Sequence, residues 1–384
     1  MASGDTLTET KPVGAKAAPP FRAEHVGSFL RPPELQAARQ SFKKGEMSKA
    51  EFRLLQDKAV KAVVKVQEEL GFEAVTDGEI RRDSWHLDFT SRLANVAVIP
   101  PKLSVRFHTR EGDIDFAPPS LEITGKLGRP SKIFVDDFIY LESVTRAVPK
   151  QTIPSPTMLH FRGGRAAVSK DAYPEMDEFY ADLAAVYREE IADYAAAGCR
   201  YLQIDETNLA YLCDPALRAE VATKFGEDPS RLVTTYAALL NDTIRDRPAD
   251  MVVGMHLCRG NNESAWVAEG GYEPVAEVLF NGINIDAYFL EYDSPRAGDF
   301  APLRFVPKGK TVVLGLVTTK VGQMESKDEI KRRIDEAAKY VPLDQLALSP
   351  QCGFSSTSAG NKISYDDQVA KLRFVREVAR EVWG

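Results

Sequence analysis

Cysteine and histidine are scarce in this 384-residue chain, with four Cys (Cys199, Cys213, Cys258 and Cys352) and five His. Four scattered thiols exclude the disulfide framework of a small secreted domain and point to a reducing compartment, the cytoplasm. Long hydrophobic runs are missing too. No window approaches the roughly 18 to 20 apolar residues of a membrane span, so no membrane partner is expected. An excess of positive charge is also absent: 49 Lys+Arg against 56 Asp+Glu leave a net charge of −7. That balance excludes a general nucleic-acid binder, whose surface needs clustered cations. No G-x-G-x-x-G follows a strand, which argues against a dinucleotide fold. Nor is there a corrinoid-binding Asp-x-His-x-x-Gly, so any cobalamin would arrive on another protein. Residues 1–20 carry Asp5 and Glu9 but no apolar stretch, fitting neither a signal nor a transit peptide. They read as a disordered tail before one domain over residues 21–384.

What is present is a regular alternation. Eight apolar runs begin at Phe21, Glu73, Thr152, Tyr201, Val252, Ala287, Thr311 and Leu346, separated by segments of helical period. Phe179, Leu183, Tyr187 and Ile191 recur every four residues, with Val186 and Tyr194 on the same face. Ser364 followed by Asp367 resembles a capping box that opens the last helix. This pattern predicts an α/β fold, a single (β/α)8 TIM barrel, with a doubly wound open sheet as the alternative. The segment from about Asp83 to Lys150, between the second and third strands, is too long for a simple connection. It contains SVRFHTREGDIDFAP, read as a β-hairpin with a Gly-Asp turn inside an insertion.

Reactive residues cluster at the ends of these runs. Glu79, Asp205, Cys258, Glu291 and Cys352 all lie at or just beyond the C-terminal end of a predicted strand, the end where barrel enzymes carry their active sites. His256 and Cys258 are two apart on one strand and therefore share a face. By themselves they read first as a buried thiol beside a hydrogen-bonded imidazole, ahead of a metal pair. With Glu291 and Cys352 they form a metal set whose two thiolates and one imidazole select zinc over magnesium or calcium. Two cysteinates and one glutamate around Zn²⁺ leave a formal charge of −1. That is a poor Lewis acid for hydrolysis but suits presentation of a thiol as a nucleophile. Glu291, the hardest ligand, is the one expected to yield to an incoming thiol.

The motifs HVGSF at 25–29, DGE at 77–79, QIDE at 203–206, HLC at 256–258, LEYDS at 290–294 and SPQCG at 349–353 together resemble the C-terminal catalytic barrel of the cobalamin-independent methionine synthases. The resemblance spans about Phe21 to Gly384. It implies a Zn²⁺ site on His256, Cys258, Glu291 and Cys352, and a homocysteine pocket. There Gly27 and Ser28 take the carboxylate, and Glu79 and Asp205 take the ammonium. Glu291 and Asp205 are the residues expected to act in catalysis. The family's pterin-stacking tryptophan aligns near Phe161, and its histidine after the seventh strand meets Thr318 and Thr319. The family's preceding second barrel has no counterpart, so the chain reads as a stand-alone core-type member. The implied activity is methyl transfer to a thiol, homocysteine giving methionine, from a methyl-tetrahydrofolate-type donor or a methyl-corrinoid protein. Alkyl transfer to another thiol such as coenzyme M is the alternative, although its sulfonate would favour Arg or Lys where Glu79 and Asp205 stand. A scaffold with structural zinc and a uroporphyrinogen-type decarboxylase are the remaining readings.

Overall fold

The structure, a computed structural model, describes residues 18–102 and 104–384, so most of the expected tail lies outside the described residues. Twelve strands are present among them. They are β1 (Ala74–Val75), β2 (Ala94–Ile99), β3 (Val105–Thr109), β4 (Gly112–Phe116), β5 (Ser120–Gly128), β6 (Val148–Pro149), β7 (Gln151–Pro154), β8 (Tyr201–Glu206), β9 (Val252–Leu257), β10 (Ala287–Glu291), β11 (Thr311–Val317) and β12 (Leu346–Pro350). The last six form one parallel sheet in the order β12-β11-β10-β9-β8-β7. Sequential order with helical crossovers is what strands buried on both faces require. The burial pattern agrees, with every residue of β8, β10 and β12 buried.

Both edges of this sheet are extended by parallel partners. On one side β1 pairs with β6, which only Lys150 separates from β7. On the other, Ala23 bridges Leu348 of β12, with the Glu24 N–H donating to the Leu348 carbonyl at 2.9 Å. The eight expected runs thus contribute unequally. The run from Phe21 supplies a single bridge, and the run from Glu73 two residues before it turns away at Gly78 and Glu79, where φ becomes +69° and +53°. Among the described residues no strand pairing joins the first run to β1. The two meet through the Thr76 hydroxyl on Gly27 O (2.6 Å) and the Phe29 N–H on Gly78 O (2.9 Å).

The helices pack as their periodicity predicts. Met176–Ala196 buries Phe179, Leu183, Val186, Tyr187, Ile191 and Tyr194. Tyr365–Trp383 opens on a full capping box between Ser364 and Asp367. The expected hairpin is the β3–β4 antiparallel pair, but its loop is Arg110-Glu111, and Gly112 and Asp113 already belong to the return strand. The same insertion holds a second antiparallel pair, β2 with β5, and the helix Val135–Val144. Mutual hydrogen bonds between His108 and Trp266 backbones, at 2.7 and 3.0 Å, pin the hairpin to the loop after β9 and bring Phe107 over the ends of the central strands.

Candidate metal centre

Parallel register assembles the four predicted ligands. Leu257 of β9 lies opposite Leu290 of β10, so the next residues, Cys258 just past β9 and Glu291 at the end of β10, stand side by side. His256 projects from β9 itself, and Cys352 follows β12 by two residues. All four are buried, and one ligand atom from each lies within 4.8 Å of the others. The two sulfurs are 3.6 Å apart, and His256 Nε2 is 4.0 Å from Glu291 Oε1. A tetrahedral zinc with Zn–S bonds of about 2.3 Å has sulfurs about 3.8 Å apart, so the thiols are already at coordination spacing. Neither nitrogen of the buried His256 ring finds a hydrogen-bond partner among the described residues, which suits an imidazole meant for a ligand.

Without a cation these groups disturb one another. Burial opposes charge on His256, but the Cys352 sulfur, Glu291 and Asp205 outweigh it and push the imidazole up to about 9. The Cys258 thiol, hydrogen-bonded to Cys352 and desolvated, is driven up, while Cys352 accepts that bond and is driven down. Burial and the neighbouring Cys352 raise Glu291, and Arg296 pulls it back. Three acidic groups gathered out of water need positive charge to ionise together. Cys199 and Cys213 stand apart: burial pushes each thiol up to about 12, and each donates to a backbone carbonyl.

The surroundings fix the ligands. Glu291 Oε1 accepts the Arg259 N–H at 2.9 Å, and Oε2 accepts the Arg296 guanidinium at 3.1 Å. Asn261 Nδ2 reaches Cys352 Sγ (3.8 Å), Gly353 O (3.1 Å) and Ser356 Oγ (3.2 Å). The buried Lys320 bonds Asn261 Oδ1 at 3.3 Å and Ala265 O at 3.4 Å, and its charge favours ionisation of Cys258, Glu291 and Cys352.

A cleft of about 550 Å³ opens beside the tetrad, and Ser28, Glu79 and Asp205 line it together with His256, Cys258 and Cys352. Asp205 lies opposite His256 across the β8–β9 ladder and accepts from Gln203 Nε2 at 2.8 Å. Burial, reinforced by Glu79, pushes it up to about 7. Glu79 sits in the left-handed region, a conformation that costs a non-glycine residue about 1–3 kcal/mol and is typical of functional sites. The Thr152 hydroxyl at 2.9 Å and Arg82 at 3.3 Å hold its carboxylate. Gly27 packs against the same acid, and a β-carbon there would meet Thr152 Cγ2 at 2.9 Å and Glu79 Oε1 at 3.5 Å. Ser28 Oγ accepts the Ser355 N–H at 3.2 Å.

Phe161 lies elsewhere. It does not line the metal-side cleft but belongs to the wall of an adjoining groove, edge-on to Tyr211 with ring centroids 6.0 Å apart. Arg296, Asn261, Lys320 and Arg162 are the site residues that sequence reasoning missed. Arg296 and Asn261 carried a readable signal, standing five residues after Glu291 and three after Cys258.

The parallel α/β scaffold carries at its strand ends a buried Cys₂HisGlu tetrad that could hold a metal ion, beside a cleft lined by Glu79 and Asp205. The chain belongs to the cobalamin-independent synthase family, whose catalytic-domain pattern matches residues 21–381, and it is a methyltransferase. It is 44% identical over 366 residues to the uncharacterised Bacillus subtilis (strain 168) protein YxjH, covering 95% of each chain. The 5-methyltetrahydropteroyltriglutamate–homocysteine methyltransferase of Thermotoga sp. (strain RQ2) is 23% identical over 95% of this chain, which spans 45% of that enzyme. Among solved structures, a candidate vitamin-B12-independent methionine synthase from Listeria monocytogenes superposes with a TM-score of 0.74 at 38% identity, covering 96% of this chain and 99% of its own.

Proposed function

We propose that this chain is a zinc-dependent methyltransferase that moves a methyl group onto the sulfur of homocysteine, giving methionine. The observation that carries the reading is one cleft lined both by His256, Cys258 and Cys352 of the Cys₂HisGlu tetrad and by two buried carboxylates, Glu79 and Asp205. Zinc, when bound by His256, Cys258, Glu291 and Cys352, supplies the positive charge that lets a thiol enter as its thiolate at neutral pH.

The chain's own groups do the rest. Glu79 and Asp205 receive the α-ammonium, and the Gly27-Ser28 turn offers polar groups to the α-carboxylate. Both ends of an amino-acid thiol are thereby fixed with its sulfur aimed at the tetrad, which reduces the barrier by orientation. Paired acids at this wall favour an ammonium-bearing thiol over coenzyme M. The hairpin residue Phe107 and Trp85 help wall the cleft from solvent. The scaffold reading that accompanies this function is a closed (β/α)8 barrel, with the first run completing the ring between β12 and β1, and a cytoplasmic enzyme of one domain.

The deciding experiment measures zinc by mass spectrometry and methionine formation from homocysteine with methyl-tetrahydrofolate, methylcobalamin and S-methylmethionine as donors. About one zinc per chain and methionine from at least one donor is the expected result. A metal-free protein, or a Cys352→Ser variant with full activity, overturns the reading.

A further inference from the structure

The seam between the first run and β1, where no ladder forms among the described residues, runs through the acceptor pocket. Ser28 stands on one side of it and Glu79 on the other. The loop after β12, which carries Cys352, packs against both sides. The Phe354 N–H donates to Ser28 O at 2.9 Å, and the Trp85 N–H donates to Ser356 O at 3.2 Å. Three loops therefore meet at the pocket with little regular structure to hold them in register.

Arg31 lies at their junction. It is buried, forms no salt bridge among the described residues, and directs its hydrogen bonds to main-chain carbonyls. Nη1 donates to Phe29 O at 3.2 Å and to Ser355 O, while Nη2 donates to Glu79 O at 2.6 Å and Arg82 O at 3.2 Å. One planar group thus touches all three loops. Burial lowers its pKa to about 10, so the charge survives at neutral pH.

The bond to Glu79 O has a particular consequence. Glu79 is left-handed at φ +53°, and such backbone persists only where its surroundings over-determine it. Thr152 and Arg82 hold the Glu79 carboxylate, whereas Arg31 holds the peptide that aims it. A guanidinium suits this task because its donors diverge in a fixed fork, which the compact ammonium of a lysine does not reproduce. Burying a cation without a paired carboxylate is costly, and what it secures here is the relative placement of Ser28 and Glu79.

We infer that Arg31 is a positioning residue. By clasping three loops at the open seam it fixes the separation between the Gly27-Ser28 turn and the Glu79 carboxylate, the groups that take the two ends of the amino-acid thiol. This rests on the acceptor reading above.

The test compares wild type, Arg31→Lys and Arg31→Met, with homocysteine binding to the zinc-loaded proteins measured by calorimetry and zinc affinity by chelator competition. Homocysteine binding about tenfold or more weaker in Arg31→Met and less weakened in Arg31→Lys, with zinc affinity kept within about twofold, is the expected result. Homocysteine binding equal to wild type in both variants overturns the inference, as does a parallel loss of zinc, which belongs to a role in folding alone. Hydrogen exchange in the proteins without homocysteine is the second readout. The amides of Phe29, Arg82 and Ser355 should exchange faster in Arg31→Lys while those of β8, β9 and β10 do not change; unchanged exchange at the three loops refutes the clasp. If Arg31→Met fails to fold, Arg31→Lys carries both measurements. A wild-type protein that does not bind homocysteine refutes the acceptor reading, and the exchange rates still decide whether Arg31 joins the loops.

Discussion

Arg296 and Glu291 form a directed pair: the guanidinium donates to Oε2 at 3.1 Å while the Arg259 N–H holds Oε1 at 2.9 Å. The same arginine bonds Asp293 Oδ1 at 2.7 Å, so it is anchored before it reaches the ligand. Partners of this kind orient a ligand carboxylate, and losing one costs about 10- to 100-fold in metal affinity or activity. Arg296→Met is therefore expected to bind zinc at least about tenfold more weakly in chelator competition. Arg296→Lys should recover part of it. Unchanged affinity in Arg296→Met would separate the pair from the metal site.

Ser28 and Gly353 are packed so closely that a β-carbon at 353 would stand 1.9 Å from Ser28 Oγ. Gly353→Ala must displace the Ser28 turn, at a cost of about 1–3 kcal/mol as overpacking. Denaturant unfolding should register the loss, and homocysteine affinity should fall with it. Adding Ser28→Gly removes the obstructing group and should restore stability but not binding. A double variant as unstable as Gly353→Ala would show that the clash is not with Ser28.

Asp205 ties stability to pH against function. Its folded-state pKa of about 7 lies above the ordinary carboxylate value near 3.9, because of burial and then Glu79. Between those values the folded protein keeps a proton that the unfolded chain has released. This contribution is therefore present at low pH and lost as pH rises toward 7, leaving a buried charge above it. Asp205→Asn should melt higher than wild type at about pH 8, with the gap closing toward about pH 4. Its homocysteine affinity should nevertheless be lower, since the ammonium loses a carboxylate. Equal melting temperatures across that range would show that Asp205 carries no such strain.

How much of this was legible in the sequence follows from where the signal is local. Asp205, His256 and Glu291 lie on β8, β9 and β10, whose apolar residues announce parallel strands, so their shared end could be read from spacing alone. The run from Phe21 was harder. Glu24 and His25 are buried within it, and Glu24 is spent on the Lys150 ammonium at 2.9 Å and on Tyr201, so polar contacts replace a ladder beyond Ala23. The hairpin turn shifted by two residues because Gly112 signals a left-handed position without saying whether it belongs to the loop or the strand.

Lys320 supplies the last prediction. It follows β11, where the family's histidine was sought at Thr318 and Thr319, and it is buried without a carboxylate partner among the described residues. The side chain is tethered to Asn261 Oδ1 and Ala265 O, so its ammonium is held beside the thiols and Glu291. A fixed positive charge there offsets the formal −1 of a zinc-loaded tetrad and favours the arrival of one more anion, the substrate thiolate. Lys320→Met keeps the hydrocarbon stem and removes only the charge. It should retain zinc yet raise the KM for homocysteine about tenfold, an electrostatic change of about 1.4 kcal/mol. The acid limb of its pH–rate profile should move to higher pH, because thiolate formation now lacks that support. Lys320→Arg should stay near wild type. If Lys320→Met loses zinc outright, the lysine acts in assembling the centre; if its KM and pH profile match wild type, the ammonium has no hold on the thiol.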